Sequence, residues 1–166
     1  LNQPANVYGY SLANTSASAA IGTITQATLG VTTSNISKQY DSTTTTAGTA
    51  TLVDSSLLGG DTLSGGTFTY DNKNVGTNKT VAVSNVTVND GNSGGNYAIN
   101  YVANTNNTIT IAPLVINSTS VNNKIYDTNI AATFVNQGII TPFSGDSVSL
   151  DAASAAAQFA DKHVGT

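Results

Sequence analysis

Val81, Val83, Val86 and Val88 punctuate the stretch "TVAVSNVTV" (80–88), yet they do not share one parity. Side chains of a strand alternate between its two faces, so the first pair faces one way and the second pair the other. A bulge or bend at Ser84-Asn85 returns all four to one face. The segment "NDGNSGGNY" that follows is rich in turn residues. "YAINY" (97–101) alternates cleanly, with Tyr97, Ile99 and Tyr101 on one face. "ANTNN" then reads as a loop, and "TITIAP" (108–113) as a returning strand with Ile109 and Ile111 inward, ending at Pro113. The last two strands are expected to form a hairpin. Helix is expected to be scarce. Only "DAASAAAQF" (151–159) has the alanine content to allow one, and its counterpart "LSGGTFTY" argues for strand.

Composition sharpens the picture. Every acid is Asp and every base is Lys, because Glu and Arg are absent. Thr, Val, Asn and Gly favour strands and turns, so the fold class is all-β. Charged residues make up 8% of the chain and the net charge is -4. That leaves too little basic surface for a nucleic-acid partner. No apolar run is long enough to span a bilayer as a helix, so membrane insertion is not expected. A signal peptide, if there is one, lies outside these residues. Cys and Met are absent, so no disulfide staples the fold and the most oxidisable side chains are missing, which favours an exposed location.

Internal repetition organises the chain. "SKQYDSTTTTA" (37–47) is matched by "NKIYDTNIAAT" (123–133), "GGDTLS" (59–64) by "SGDSVSL" (144–150), and "DNKNVGT" (71–77) by "DKHVGT" (161–166). "GYSLAN" with "GTITQATLGV" parallels "NYAINY" with "NTITIAPLVI". The spacing is roughly 85 residues, the size of one β-sandwich module. The expected division is the C-terminal part of one module (1–30), a complete module (31–114) and the N-terminal part of the next (115–166). Both ends then cut through modules, and the expectation is an excerpt from a longer repetitive chain.

One corner carries a finer expectation. Immunoglobulin-like sandwiches place a Tyr two residues before an inward position of the penultimate strand, with its hydroxyl bonded to upstream backbone. Tyr97 and Ile99 fit that pattern after Asp90 and Gly95, and Tyr10 and Leu12 repeat it. The fold expected is therefore tandem immunoglobulin-like β-sandwich modules, with the Tyr97 hydroxyl on the backbone of residues 88–95.

Candidate chemistry is sparse. His163 is the single His, and Asn74 stands at the same place in the other copy. Zinc sites want three or four ligands, and a nucleophilic triad needs an acid and a Ser around its His. No catalytic residue, metal or cofactor is expected, and the chain is read as no enzyme. Asp41, Asp127, Asp61 and Asp146 recur by copy, but no calcium-loop motif surrounds them, and turn capping explains them better. Asn14, Asn35, Asn78, Asn85, Asn106 and Asn117 sit in Asn-x-Ser/Thr triplets and are candidate glycan acceptors. Lys38 and Lys124 are equivalent and are candidates for an isopeptide link, or else for edge-strand lysines that discourage aggregation. The Thr array of "STTTT" (42–46) is not kept in the next copy, which argues against an ice- or sugar-binding face.

The combination of "YD-x-T-T", "G-D", "F-x-x-x-N-K-N-V-G-T-x-K-T-V-x-V-S" and "G-N-Y-x-I" followed by "T-I-T-x-A" resembles the YDG repeat and its relatives in the mostly-β glycine-rich (MBG) group. Those repeats are arrayed along large secreted bacterial adhesins similar to filamentous haemagglutinin. Tyr40 and Tyr126 are the tyrosines of the motif, while its Gly is Ser42 in one copy and Thr128 in the other. The resemblance implies a structural and adhesive module of a surface fibre, at the bacterial cell surface or outside the cell, linked to attachment and biofilm. Its implied partners are neighbouring repeats or other copies in a fibre, and host or matrix glycans. The alternative function is a glycan-binding module that recognises carbohydrate directly.

Overall fold

The computed structural model describes residues 6–7, 10–11, 22–53 and 56–165, and nearly all elements in them are strands. Asn6–Val7 (β1) and Tyr10–Ser11 (β2) pair as a short antiparallel ribbon. The body of the fold follows as Ala27–Thr33 (β3), Ser37–Gln39 (β4), Thr45–Thr46 (β5), Ala50–Val53 (β6), Thr62–Tyr70 (β7), Gly76–Asn89 (β8), Tyr97–Tyr101 (β9) and Asn104–Thr110 (β10). These strands make a five-stranded sheet, β4-β10-β8-β7-β5, and a three-stranded sheet, β6-β3-β9. The protein is all-β.

The two sheets share one core. Leu29 and Val31 come from β3 and Tyr97 from β9, and they meet Phe68, Tyr70, Val81, Val83, Val86, Val88 and Ile109 from the larger sheet. Each such side chain, fully buried, contributes roughly 1.5–3 kcal/mol of transfer free energy, which holds the layers together.

The four valines of β8 are all buried, and Ser84 and Asn85 between them are exposed. The parity switch is a bend, and both strands of the β7–β8 ribbon take part. Asn85 adopts φ 54°, and Gly66 on β7 adopts φ 115°. The register is unbroken across it, with Gly65 opposite Val86 and Thr67 opposite Ser84. Gly and Asn are the residues that enter the left-handed region most readily, which is why the bend falls there.

The last two strands do not form a hairpin. β9 joins the small sheet, parallel to β3, whereas β10 joins the large sheet between β8 and β4. Only Val102 and Ala103 separate them, so the chain crosses from one sheet to the other at that corner. Alternation specifies which face a residue occupies, not which strand lies beside it, and both strands found their partners elsewhere. "ANTNN" is correspondingly not a loop: β10 starts at Asn104 and buries Asn107. It also stops early. After Thr110 accepts a hydrogen bond from Tyr40 N–H (2.8 Å), the ladder ends and Ile111 is 76% exposed instead of inward.

Beyond β10 the elements are short: Ser120–Val121 (β11), Ala131–Ala132 (β12), Phe134–Asn136 (β13) and Ala157–Gln158 (β14), with one 3-10 turn at Ala152–Ser154. Asp151 caps that turn, accepting from Ala153 N–H at 3.1 Å, and the alanine-rich stretch goes no further into helix. Pairings in this half repeat those of the first. β12 with β14 (Ala131↔Gln158) stands where β5 pairs with β7 (Thr45↔Thr69), and the Asn117↔Ile139 bridge stands where β3 pairs with β6. Here, however, apolar side chains such as Ile116, Ile125 and Val135 remain largely exposed.

Candidate functional site

The Tyr-Asp motif builds the same clamp twice. Lys38 lies on the edge strand β4, and its ammonium turns back over the loop that follows. It donates to Asp41 Oδ1 at 2.7 Å, Thr43 C=O at 2.8 Å and Thr45 C=O at 3.0 Å. The Asp41 carboxylate also accepts from Thr43 N–H at 2.9 Å, closing an Asx turn. The Tyr70 ring lies 5.7 Å from the ammonium, within cation–π range. In the second half Lys124 donates to Asp127 at 2.7 Å, Asn129 C=O at 2.8 Å and Ala131 C=O at 3.1 Å, with Phe159 in place of Tyr70 at 5.8 Å. Lysine has three donors and no acceptor, so three loop oxygens saturate it. The Lys38 hydrogen bond, helped by Thr43 N–H, holds Asp41 down to a pKa of about 2. Lys124 lowers Asp127 in the same way, with Asn129 N–H adding to it. Both candidate isopeptide lysines thus serve as clamps of their own turns. The paired spacing Lys-x-Tyr-Asp-x-Thr/Asn, visible in both copies, was the signal for it.

A second cluster joins the two halves. The turn at residues 143–146, closed by Asp146 N–H to Phe143 C=O at 3.0 Å, sits against the first half. Tyr40 Oη lies 2.8 and 2.7 Å from the two Asp146 carboxylate oxygens, and Lys73 Nζ lies 2.6 Å from Oδ1. The Phe143 ring meets the Tyr40 ring edge-on at 5.8 Å and 71°, while Lys73 Nζ stands 5.8 Å from the Tyr40 ring. The contact therefore combines an aromatic pair, a charge-assisted hydrogen bond and an ion pair on one side chain. Lys73, then Tyr40, lowers the pKa of Asp146, and Asp146 in turn raises that of Lys73. Lys73 and Asp146 were not singled out as partners by the sequence, since nothing in a linear pattern links positions on successive repeats.

The remaining candidates fall as follows. Tyr97 is buried, but its hydroxyl does not reach the 88–95 backbone. It donates to Asp61 Oδ2 at 2.7 Å and accepts from Leu58 N–H at 2.9 Å, and the Asp61 bond raises its pKa. The turn it was expected to brace is held by Asp90, which accepts from Asn92, Gly94 and Asn96 N–H groups. Ile99 is partly buried against the core. Tyr126 is 53% exposed. The side chain of Tyr10, together with Leu12 and Asn14, lies outside the described residues. Asn35, Asn78, Asn85, Asn106 and Asn117 are all exposed. Asn78 and Asn85 also occupy left-handed backbone, at φ 53° and 54°, which favours Asn on conformational grounds alone. Among the described residues no three His, Cys, Asp or Glu side chains converge to hold a metal ion, and no helix is long and apolar enough to cross a membrane.

The YDG domain matches residues 23–108 and residues 110–166. The chain belongs to the YDG family. No curated protein and no solved structure matches it. The YDG motif explains the two departures at its third letter: Ser42 has φ 64° and Thr128 φ 70°. Both keep the left-handed conformation that glycine adopts freely, so the turn survives the loss of Gly, with Thr128 the more strained because it is β-branched. The first YDG match begins at residue 23, and β3 begins at Ala27, inside the segment that the repeat spacing assigned to a preceding module. A period sets the length of a repeat without setting its phase.

Proposed function

We propose that this chain is a structural and adhesive segment of an extracellular bacterial surface fibre, built of tandem sandwich modules of the immunoglobulin-like class. The observation that carries the reading is the Tyr40–Lys73–Asp146–Phe143 contact. It fastens one repeat to the next through residues whose counterparts occur in the other copy, as a stalk assembled by nearest-neighbour contacts requires. Two facing sheets over one core support the sandwich class, although the order of strands is this chain's own. The absence of Cys and Met suits an exposed location. The function is mechanical: the repeats space and present whatever binds at the end of the fibre, and attachment and biofilm follow from that spacing.

The test is surface labelling of intact producing cells. An antibody raised against the chain should decorate them without permeabilisation, and protease added outside should remove the signal. Labelling confined to lysed cells would overturn the proposal.

A further inference from the structure

The first half of the chain shows a socket with its occupant in place, and the second half shows the same socket open. Tyr40 and Lys73 receive the turn at residues 143–146. Their repeat counterparts, Tyr126 and Lys162, line an open hollow of about 580 Å³ together with Lys124 and Phe159. Tyr126 is 53% exposed and Val164, on the same rim, 89%. The matching plug also exists a second time. Leu58-Gly59-Gly60-Asp61 closes the same turn as Phe143–Asp146, with Asp61 N–H donating to Leu58 C=O at 3.0 Å, and Leu58 is 59% exposed at its tip.

The geometry points to a head-to-tail interface between copies of this chain: the Leu58–Asp61 turn of one copy enters the Tyr126–Lys162 hollow of another. Leu58 takes the place of Phe143 against the tyrosine ring, and Asp61 faces the Lys162 ammonium as Asp146 faces Lys73. The Asp61 carboxylate already accepts from Tyr97 Oη through Oδ2, which fixes the turn's orientation before docking. Plug and socket are different surfaces, so the contact is heterologous and does not close on itself; it propagates. The inference rests on the stacked-repeat part of the proposed function and adds the residues that would extend the stack.

Sedimentation velocity on the full chain and two variants tests it. The weight-average mass of the unaltered chain should rise steadily with concentration, passing the dimer without a plateau. Lys162→Glu blocks the socket and Leu58→Asp blocks the plug, and each variant alone should stay monomeric. Mixed in equal amounts they should form a 1:1 dimer and nothing larger, since each retains one working half. Circular dichroism matching the unaltered chain shows that both variants are folded. A chain monomeric at millimolar concentration, a plateau at dimer, or a mixture that fails to pair overturns the interface. An NMR contact between the Tyr40 and Phe143 rings, read on the same samples, separates the two ideas. If it is present while the chain stays monomeric, only this inference fails. If it is missing, the stacked-repeat reading fails as well.

Discussion

Replacing Asn107 with Ala should be among the most damaging single changes in the chain, although Asn107 carries no apolar surface. Its side chain is 1% exposed and fully bonded. Oδ1 accepts from Ile36 N–H at 2.8 Å, and Nδ2 donates to Lys79 C=O at 3.0 Å and Asn104 C=O at 2.7 Å. Those bonds tie β10 to β8 and to the residue just ahead of β4, where the β10–β8 register shifts and the regular ladder cannot serve. Alanine leaves Ile36 N–H and Lys79 C=O without partners, both on residues less than a tenth exposed. A buried polar group stripped of its partner costs about 1–3 kcal/mol, so two give a central value of about 4 kcal/mol. The Asn104 carbonyl adds little, because Asn104 is only half-buried and water can reach it. Urea unfolding followed by circular dichroism reads the loss as a shift in midpoint at constant slope. Asn106→Ala, at the exposed neighbour, serves as control and should stay within about 0.5 kcal/mol. A cost below about 1 kcal/mol for Asn107→Ala would refute the accounting.

Thr128→Gly should stabilise the chain by about 1 kcal/mol and Ser42→Gly by less, since a left-handed residue with a Cβ costs about 1–2 kcal/mol and glycine returns part of that as unfolded-state entropy; a fall in melting temperature for both would contradict the turn geometry. Asp41 has a folded pKa of about 2 against an ordinary 3.8, so its contribution is complete above about pH 4 and is lost as pH falls toward 2. The Thr43 amide shift should titrate with a midpoint near 2, and a midpoint near 3.8 would show that the Lys38 clamp is not formed in solution. Asp146 is lowered and Lys73 raised, so the joint should hold between the acid and alkaline extremes and open at either; loss of the Tyr40–Phe143 ring contact at neutral pH would contradict it. Tyr97→Phe should free the Asp61 carboxylate and accelerate hydrogen exchange at Leu58 N–H while leaving Asn92, Gly94 and Asn96 protected by Asp90, and the opposite pattern would return the tyrosine to the 88–95 turn.

The sequence by itself determined the β class, the period of the repeat and the inward parity of Val81, Val83, Val86 and Val88. These follow from residue conformational preference and from the two-residue period of a strand, both local properties of the backbone. The bend at Ser84-Asn85 was legible for the same reason, because four valines cannot share a face without it. Only the tertiary structure decided that β9 lies beside β3 and β10 beside β4 and β8, that the Tyr97 hydroxyl ends on residues 58–61, and that Asn107 is buried rather than in a loop. It also decided that Asp146 belongs with Tyr40 and Lys73. Each of these depends on which distant segments come to lie side by side when two sheets close over one core. Alternation carries no information about that choice, since any strand with a matching apolar face satisfies it equally well, and the choice is settled by buried polar groups such as the Ile36 N–H and the Lys79 carbonyl that must find partners within the fold.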